Sequence, residues 1–140
     1  MKKTAMPQNA APRISEEEEQ QAVFEWAEYY IGQYPELRRL HHVPNGGYRS
    51  KAEAGRFKAM GVKAGVPDIC LPVPHRGYHG LYIEMKAKDG KLSEKQIEWL
   101  RDLSADGYFC RVCYGADEAI AAITWYVQKE RVRIDNRKTQ

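Results

Sequence analysis

Cysteines and long apolar segments are scarce in this sequence. It contains three cysteines among 140 residues, and an odd, small number of this kind argues against a disulfide-stapled fold. No apolar run is long enough to cross a membrane, and the N-terminus lacks the apolar region of a signal peptide. We therefore expect free thiols that pack as small apolar groups, in a cytoplasmic protein without a membrane partner.

A large excess of charge is also missing, since the formal net charge is only +3. The distribution of charge is more informative than the total. Between positions 38 and 63 a single acidic residue, Glu53, stands against seven basic ones: Arg38, Arg39, Arg49, Lys51, Arg56, Lys58 and Lys63. Such density is suited to phosphate contacts. The end of the chain after Val127 is basic too, but a merely solvated surface explains that tail equally well.

The length and the hydrophobic content of 43% are those of one domain with a real core. We expect a flexible N-terminal segment over residues 1–14 and a single domain over 15–128. A basic tail would then cover 129–140. No internal repeat is apparent.

The first predicted helix begins at Ser15, a good N-cap. Glu18 follows three residues later, as in a capping box, and the acidic first turn complements the helix dipole. We expect the helix to end near 32–35. Its buried stripe at helical spacing is Glu16, Gln20, Val23, Phe24, Ala27 and Ile31.

The most informative stretch runs from position 65 to 86, with two apolar runs separated by Gly- and Pro-rich turn residues. Ile69–Val73 is a predicted strand that begins directly after Asp68. Leu81–Lys86 alternates, which places Tyr82, Glu84 and Lys86 together on one face of a second strand. A hairpin that joins the two strands would bring Asp68 close to Glu84 and Lys86.

Two carboxylates beside one amine are suited to a hard divalent cation. Mg²⁺ prefers oxygen ligands and usually takes one or two carboxylates, so that water and substrate phosphate complete its shell. Each motif alone has a simple explanation, since Glu84 and Lys86 can be an exposed strand pair and Pro67-Asp68 a turn. Their combination, with each motif attached to an apolar strand, favours a site.

The remaining pattern predicts an α/β fold. A basic helix is expected over 51–60 with Ala52, Phe57 and Met60 inward, and a second helix starts at Ser93 with its buried positions at 96, 97, 100 and 103 or 104. Residues 108–114 predict a strand and 117–127 a last helix. A helix between the second and third predicted strands permits a crossover, so we expect a mixed sheet of about four strands flanked by helices.

Three motifs together resemble a known family. They are G-V-P-D at 65–68, I-E-M-K at 83–86 and G-K-L-S-E-K-Q at 90–96. This set resembles the PD-(D/E)XK nuclease superfamily. More specifically, it is similar to the virus-type replication-repair nuclease (VRR-NUC) domain in its small, standalone, phage-like form. The resemblance covers about 15–127 and implies a restriction-endonuclease-like core.

The resemblance implies a metal-dependent DNA endonuclease that hydrolyses phosphodiester bonds. Mg²⁺ or Mn²⁺ would be bound by Asp68, Glu84 and the backbone carbonyl of Met85. Lys86 would position or activate the attacking water. Gln96, which as the N3 residue of a capping box with Ser93 also has a purely structural explanation, would orient Lys86 or the nucleophile. Glu16 would support the metal, because a Glu-x-x-x-Gln pattern of the family matches Glu16 to Gln20, and Glu19 is the alternative.

The same resemblance implies a homodimer that cuts branched DNA such as four-way (Holliday) junctions, inside a bacterial host cell if a phage encodes it. The residues expected to contact DNA are Asn45, Arg49, Lys51, Arg56, Lys58 and Lys63. Two other functions stay open. One is a DNA-binding module that keeps the fold without the chemistry, and the other is a restriction-like endonuclease that reads a specific sequence.

Overall fold

The computed structural model describes residues 14–44 and 50–130 of the chain. The expected flexible N-terminal segment, apart from Ile14, and most of the expected basic tail lie outside the described residues, as do Asn45 and Arg49. No helix of the described ranges combines the length and the apolar character needed to cross a membrane.

The described part contains four α-helices, one short 3₁₀ helix and four strands. In chain order they are α1 (Glu16–Tyr30), the 3₁₀ helix (Pro35–Arg39), β1 (His41–His42), α2 (Lys51–Ala59), β2 (Ile69–Leu71), β3 (Leu81–Lys86), α3 (Glu94–Ala105), β4 (Phe109–Tyr114) and α4 (Ala116–Val127). The bounds of β3 are those that the alternation of its sequence predicts.

The strands form one mixed sheet in the order β1-β2-β3-β4. The pairs β1–β2 and β2–β3 are antiparallel, whereas β3 and β4 are parallel. A parallel pair requires a crossover between its strands, and α3 supplies it. The prediction of an α/β fold with a four-stranded mixed sheet flanked by helices is confirmed.

The two faces of β3 meet different surroundings. Leu81, Ile83 and Met85 are fully buried, and they join the apolar cluster that α1 and α4 build over one face of the sheet. That cluster also holds Val23 from α1 and Ile123 from α4. The opposite face of β3 carries Tyr82, Glu84 and Lys86.

Helix α1 begins as the sequence predicts. Ser15 is its N-cap, and both hydrogen bonds of the capping box with Glu18 are present. Its buried residues are Val23 and Ala27. The predicted stripe is wrong at its start, because Glu16 is exposed, so the packed face begins later on the helix.

Three further local predictions need correction. Strand β2 ends at Leu71 and not at 73, since Pro72 has no N–H to continue the ladder. Helix α2 has no buried residue, and Met60 is 70% exposed where an inward side chain was expected. In α3 the expected inward Ile97 is 41% exposed, whereas Leu103 is buried.

The three cysteines are free thiols, as the sequence predicts. Cys70 and Cys113 are buried and Cys110 is half-buried. Burial is the main cause that raises the pKa of all three thiols. They therefore act as packing residues and not as reactive thiolates.

Candidate active site

Asp68 and Glu84 come from neighbouring strands whose register brings them together. Ile69 pairs with Ile83, so Asp68 stands one step earlier, opposite Glu84 in the antiparallel ladder. Oδ2 of Asp68 accepts a hydrogen bond from the backbone N–H of Met85 at 2.9 Å. The carbonyl of Asp68 accepts from the N–H of Val43 at 2.7 Å. Both the backbone and the carboxyl group of Asp68 are thus fixed against adjacent chain segments.

Glu84 is the one charged side chain buried in the described core, with 2% of its surface exposed. Burial, then the negative charge of Asp68, raises the pKa of Glu84 to about 8, and the charge of Glu16 acts in the same direction. Its Oε2 atom is buried without a hydrogen-bond partner. A buried oxygen without a hydrogen-bond partner destabilises the folded state. Glu84 therefore does not serve the stability of the fold.

Lys86 lies two residues further along the same face of β3. Its Nζ is 3.7 Å from Oε1 of Glu84, and 11% of its side chain is exposed. The amine is the main group that lowers the pKa of Glu84 against the effects that raise it. An ammonium with a little solvent access beside a carboxylate pair can contact both water and an incoming anion.

Gln96 connects α3 to this cluster. It forms the predicted capping box and contacts Glu84, while its predicted role of orienting Lys86 or the nucleophile stays a prediction. Its Oε1 accepts from the N–H of Ser93 at 2.9 Å, which completes the capping box. Its Nε2 donates to Oε1 of Glu84 at 2.8 Å. Because the cap binds the oxygen of the amide, the NH₂ group must turn toward Glu84. The helix cap therefore orients the hydrogen-bond donor of the site.

The two candidate glutamates of α1 take different places. Oε2 of Glu16 accepts from the N–H of Ala87, just after β3, at 3.3 Å. Oε2 of Glu19 accepts from the N–H of Ala116 at 2.6 Å, at the start of α4. Glu16 therefore lies beside the cluster, while Glu19 joins α1 to the N-terminus of α4.

The donor set is chemically suited to Mg²⁺ or Mn²⁺. Two carboxylates stand side by side, and the orphaned Oε2 of Glu84 is an oxygen that a cation would satisfy. Within residues 14–44 and 50–130 no group of three or more His, Cys, Asp or Glu side chains is arranged to bind a metal on its own. An ion with one or two protein carboxylates fits this arrangement, whereas a closed protein cage does not.

The chain is similar to known proteins. A family model described as the VRR-NUC domain matches residues 14–117. The chain belongs to the VRR-NUC family. A solved structure described as a VRR_NUC domain protein is similar to it, with 32% sequence identity and a TM-score of 0.71. The similarity covers 83% of this chain and 90% of that one. A search of the curated proteins found no match.

The VRR-NUC match indicates a domain of the nuclease type, and hence a DNA substrate. The exposed basic residues predicted to contact DNA fit this setting. Lys51, Arg56 and Lys58 lie on the exposed helix α2, and Lys63 follows it on the segment that leads to β2. Arg56 also rests over the ring of Phe57, with its Cζ 5.6 Å from the ring centroid.

Two contacts that the sequence does not predict hold the segment before Asp68 in place in the VRR-NUC domain. Nε1 of Trp99 on α3 donates to the carbonyl of Ala64 at 3.1 Å. Gly65 has a φ of +89°, and a Cβ there would lie 2.7 Å from the carbonyl carbon of Lys95. Only glycine fits so close an approach. The segment before Asp68 is thus docked on the helix that carries Gln96, a contact for which the local sequence gives no signal.

Proposed function

We propose that this VRR-NUC protein is an endodeoxyribonuclease that depends on Mg²⁺ or Mn²⁺ and hydrolyses phosphodiester bonds in branched DNA. The observation that carries the proposal is the buried, unpartnered Oε2 of Glu84 beside Asp68 and Lys86. In a protein without a role for this cluster, a neutral or apolar residue at 84 would be more stable.

The proposed metal ligands are the carboxylates of Asp68 and Glu84 and the backbone carbonyl of Met85, with Glu16 in support. When bound, the ion would offset charge on the scissile phosphate and make water a better nucleophile. The cation would also offset the repulsion between the two carboxylates. Burial and this repulsion raise the pKa of Glu84 to about 8.

The other residues act by position and charge. The hydrogen bond from Gln96 engages Oε1 of Glu84, so Oε2 would be the oxygen left for a cation. The Lys86 ammonium is placed to hold the attacking water and to stabilise negative charge as it develops on the phosphate. The N–H of Met85 holds the carboxylate of Asp68, which would make it a preorganised ligand for the cation.

The preference for branched DNA and a homodimeric state are the finer parts of the proposal, and both rest on the family. A C2 dimer is suited to a branched substrate with two-fold symmetry, since it offers two equivalent sites to opposing strands. The exposed basic residues of α2 and Lys63 would supply phosphate contacts beside each site.

The test compares four-way, flap, splayed and nicked DNA with Mg²⁺, with Mn²⁺ and with EDTA. We expect cleavage only with a metal, and most rapidly on a branched substrate. Glu84→Ala and Lys86→Ala should each reduce cleavage at least about 100-fold while binding persists. Glu17→Ala is the matched control, because Glu17 is an exposed neighbour of Glu16 on the first turn of α1.

Retained cleavage in both site variants would refute the assignment of the site. DNA binding without cleavage by the wild-type protein, with either metal, would instead favour the binding-module alternative. Cleavage that follows one duplex sequence irrespective of branching would favour the restriction-like alternative.

A further inference from the structure

A second cluster with unusual chemistry lies on the other face of the sheet from Glu84. Phe109 pairs with Leu81 and Arg111 with Ile83, so both lie on the face of these two buried residues. Glu84 pairs with Val112 on the opposite face. The cluster is therefore separate from the candidate active site.

Two arginines bracket two aromatic rings there. Cζ of Arg76 lies 4.2 Å from the ring centroid of Trp125, and Cζ of Arg111 lies 4.4 Å from that of Phe109. The rings of Phe109 and Trp125 are themselves 5.0 Å apart at an interplanar angle of 30°. We call Arg76, Phe109, Arg111 and Trp125 the arginine–aromatic cluster.

Arg76 occupies a backbone position that an arginine rarely adopts. It has a φ of 53° and is followed by Gly77 with a φ of 81°, so both central residues of the turn from His75 to Tyr78 have positive φ. The N–H of Tyr78 donates to the carbonyl of His75 at 2.9 Å, which closes this turn. Such a type I′ turn favours Asn-Gly, whereas an arginine in the left-handed region is strained. An observed strain of this kind points to a role for the side chain.

The donors of both guanidinium groups are incompletely used. Nη2 of Arg76 is 3.5 Å from the carbonyl of Gln128, at the limit of a hydrogen bond, and its Nε is buried without a partner. Nη1 of Arg111 donates to the carbonyl of Cys110 at 3.2 Å. Over the described ranges, neither arginine forms an ion pair with a carboxylate. Stacking on the rings fixes the planes of these groups, which favours bidentate binding of an oxyanion.

Positive charge exceeds negative charge around the cluster. Lys129 lies with Arg76 in one groove, and the acidic residues beside the two arginines are Glu130 and Glu118, of which Glu118 is engaged by the N–H of Tyr114. The chain that follows Glu130 adds four basic residues and one acidic residue in its last ten positions: Arg131, Arg133, Arg137 and Lys138, against Asp135. The sequence that follows α4 is therefore basic.

We infer that the arginine–aromatic cluster is a second nucleic-acid contact, at which Arg76 and Arg111 bind backbone phosphates away from the scissile bond. This inference rests on the proposed function and extends it, because a branched substrate offers a further duplex arm to a surface outside the active site. The contact is electrostatic and independent of base sequence.

The turn itself provides the test. Arg76→Asn removes the guanidinium and installs a residue that tolerates positive φ, so the fold should keep or gain thermal stability. We expect its Kd for a four-way junction, measured by fluorescence anisotropy in EDTA, to rise about two- to fivefold. The slope of log Kd against log salt should fall by about 1. Arg111→Gln should behave alike, and Arg101→Gln, on the exposed side of α3, is the matched control.

An unchanged Kd and salt slope for Arg76→Asn and Arg111→Gln would overturn the inference. A lower melting temperature with unchanged Kd would show that the arginines only pack on the rings. A change in molecular mass with unchanged DNA affinity would assign the surface to contact between two copies of the chain. If Arg76→Asn weakens DNA binding but the wild-type protein never cleaves, the proposed function is wrong and the inference stands. If the wild-type protein binds no DNA at all, both are wrong.

Discussion

The two faces of strand β3 serve opposite purposes within six residues. Leu81, Ile83 and Met85 are fully buried in the apolar cluster and contribute stability. On the other face, Glu84 is buried with one oxygen unpartnered and a pKa raised to about 8, which costs stability. Because side chains alternate along a strand, β3 packs one face in the core and holds a buried carboxylate on the other.

The largest effect is expected when the charge of Glu84 is removed from the polar face. Glu84→Gln should lower cleavage at least about 100-fold, because a neutral amide is a poor substitute for a carboxylate that binds a cation. The same variant should raise the melting temperature at pH 8 without added metal, since it removes a buried carboxylate that lies beside Asp68. Parallel cleavage assays and thermal melts check both parts. A variant that loses stability together with activity would contradict this account of Glu84.

The apolar face should respond in the opposite way. Ile83→Ala opens a cavity at a fully buried position, and the expected loss is about 2–5 kcal/mol in the free energy of unfolding. Denaturant unfolding measures this loss directly. At a temperature where the variant is still folded, its cleavage rate should stay close to that of the wild-type protein. If Ile83→Ala and Glu84→Gln changed stability in the same direction, the contrast between the faces would fail.

A smaller effect is expected from pH. The pKa of Glu84 is raised from 4.5 to about 8 in the folded protein, so between these values the folded state holds a proton that the unfolded state has lost. This contribution to stability is complete below about pH 4.5 and is lost as the pH rises through about 8. We expect it to be on the order of a few kcal/mol at most. The difference between wild-type and Glu84→Gln unfolding free energies from pH 5 to 9 should show this slope, and a flat difference would contradict it.

The smallest effect is expected from the capping box of α3, whose Gln96 also donates to Glu84. Gln96→Glu preserves a capping box, as the Ser15–Glu18 pair of α1 shows. It replaces the NH₂ donor with a carboxylate that faces Glu84, so we expect cleavage to fall on the order of tenfold. Ser93→Ala should cost about 1 kcal/mol in stability through loss of the cap. Full activity in Gln96→Glu would mean that Gln96 is only a capping residue.

Much of this arrangement can be predicted from local sequence patterns. The alternation of Leu81–Lys86 predicts the bounds of β3 and its two faces, and Ser15 and Ser93 predict two helix starts with their capping boxes. These features depend on neighbours within a few residues. The approach of Asp68 to Glu84 and Lys86 also follows from a hairpin between the two strands. The sequence leaves the register of that hairpin open across the connection at 72–80, and the structure supplies it.

What the sequence cannot predict depends on contacts between distant segments. The role of Glu19 follows from the packing of α1 against the start of α4, and Trp99 meets Ala64 only because α3 docks on the segment before β2. The exposure of Met60 has a different cause, because the weakly amphipathic helix α2 gives no signal that it stays outside the core. The strain at Arg76 is likewise a backbone property that composition does not reveal.

The most direct test of the central claim is anomalous diffraction from crystals of the protein soaked with Mn²⁺ near neutral pH. The account predicts a peak at coordination distance from a carboxylate oxygen of both Asp68 and Glu84, and no such peak in crystals of Glu84→Gln. A well-soaked wild-type crystal without density between these two carboxylates, or an equal peak in the variant, would contradict it.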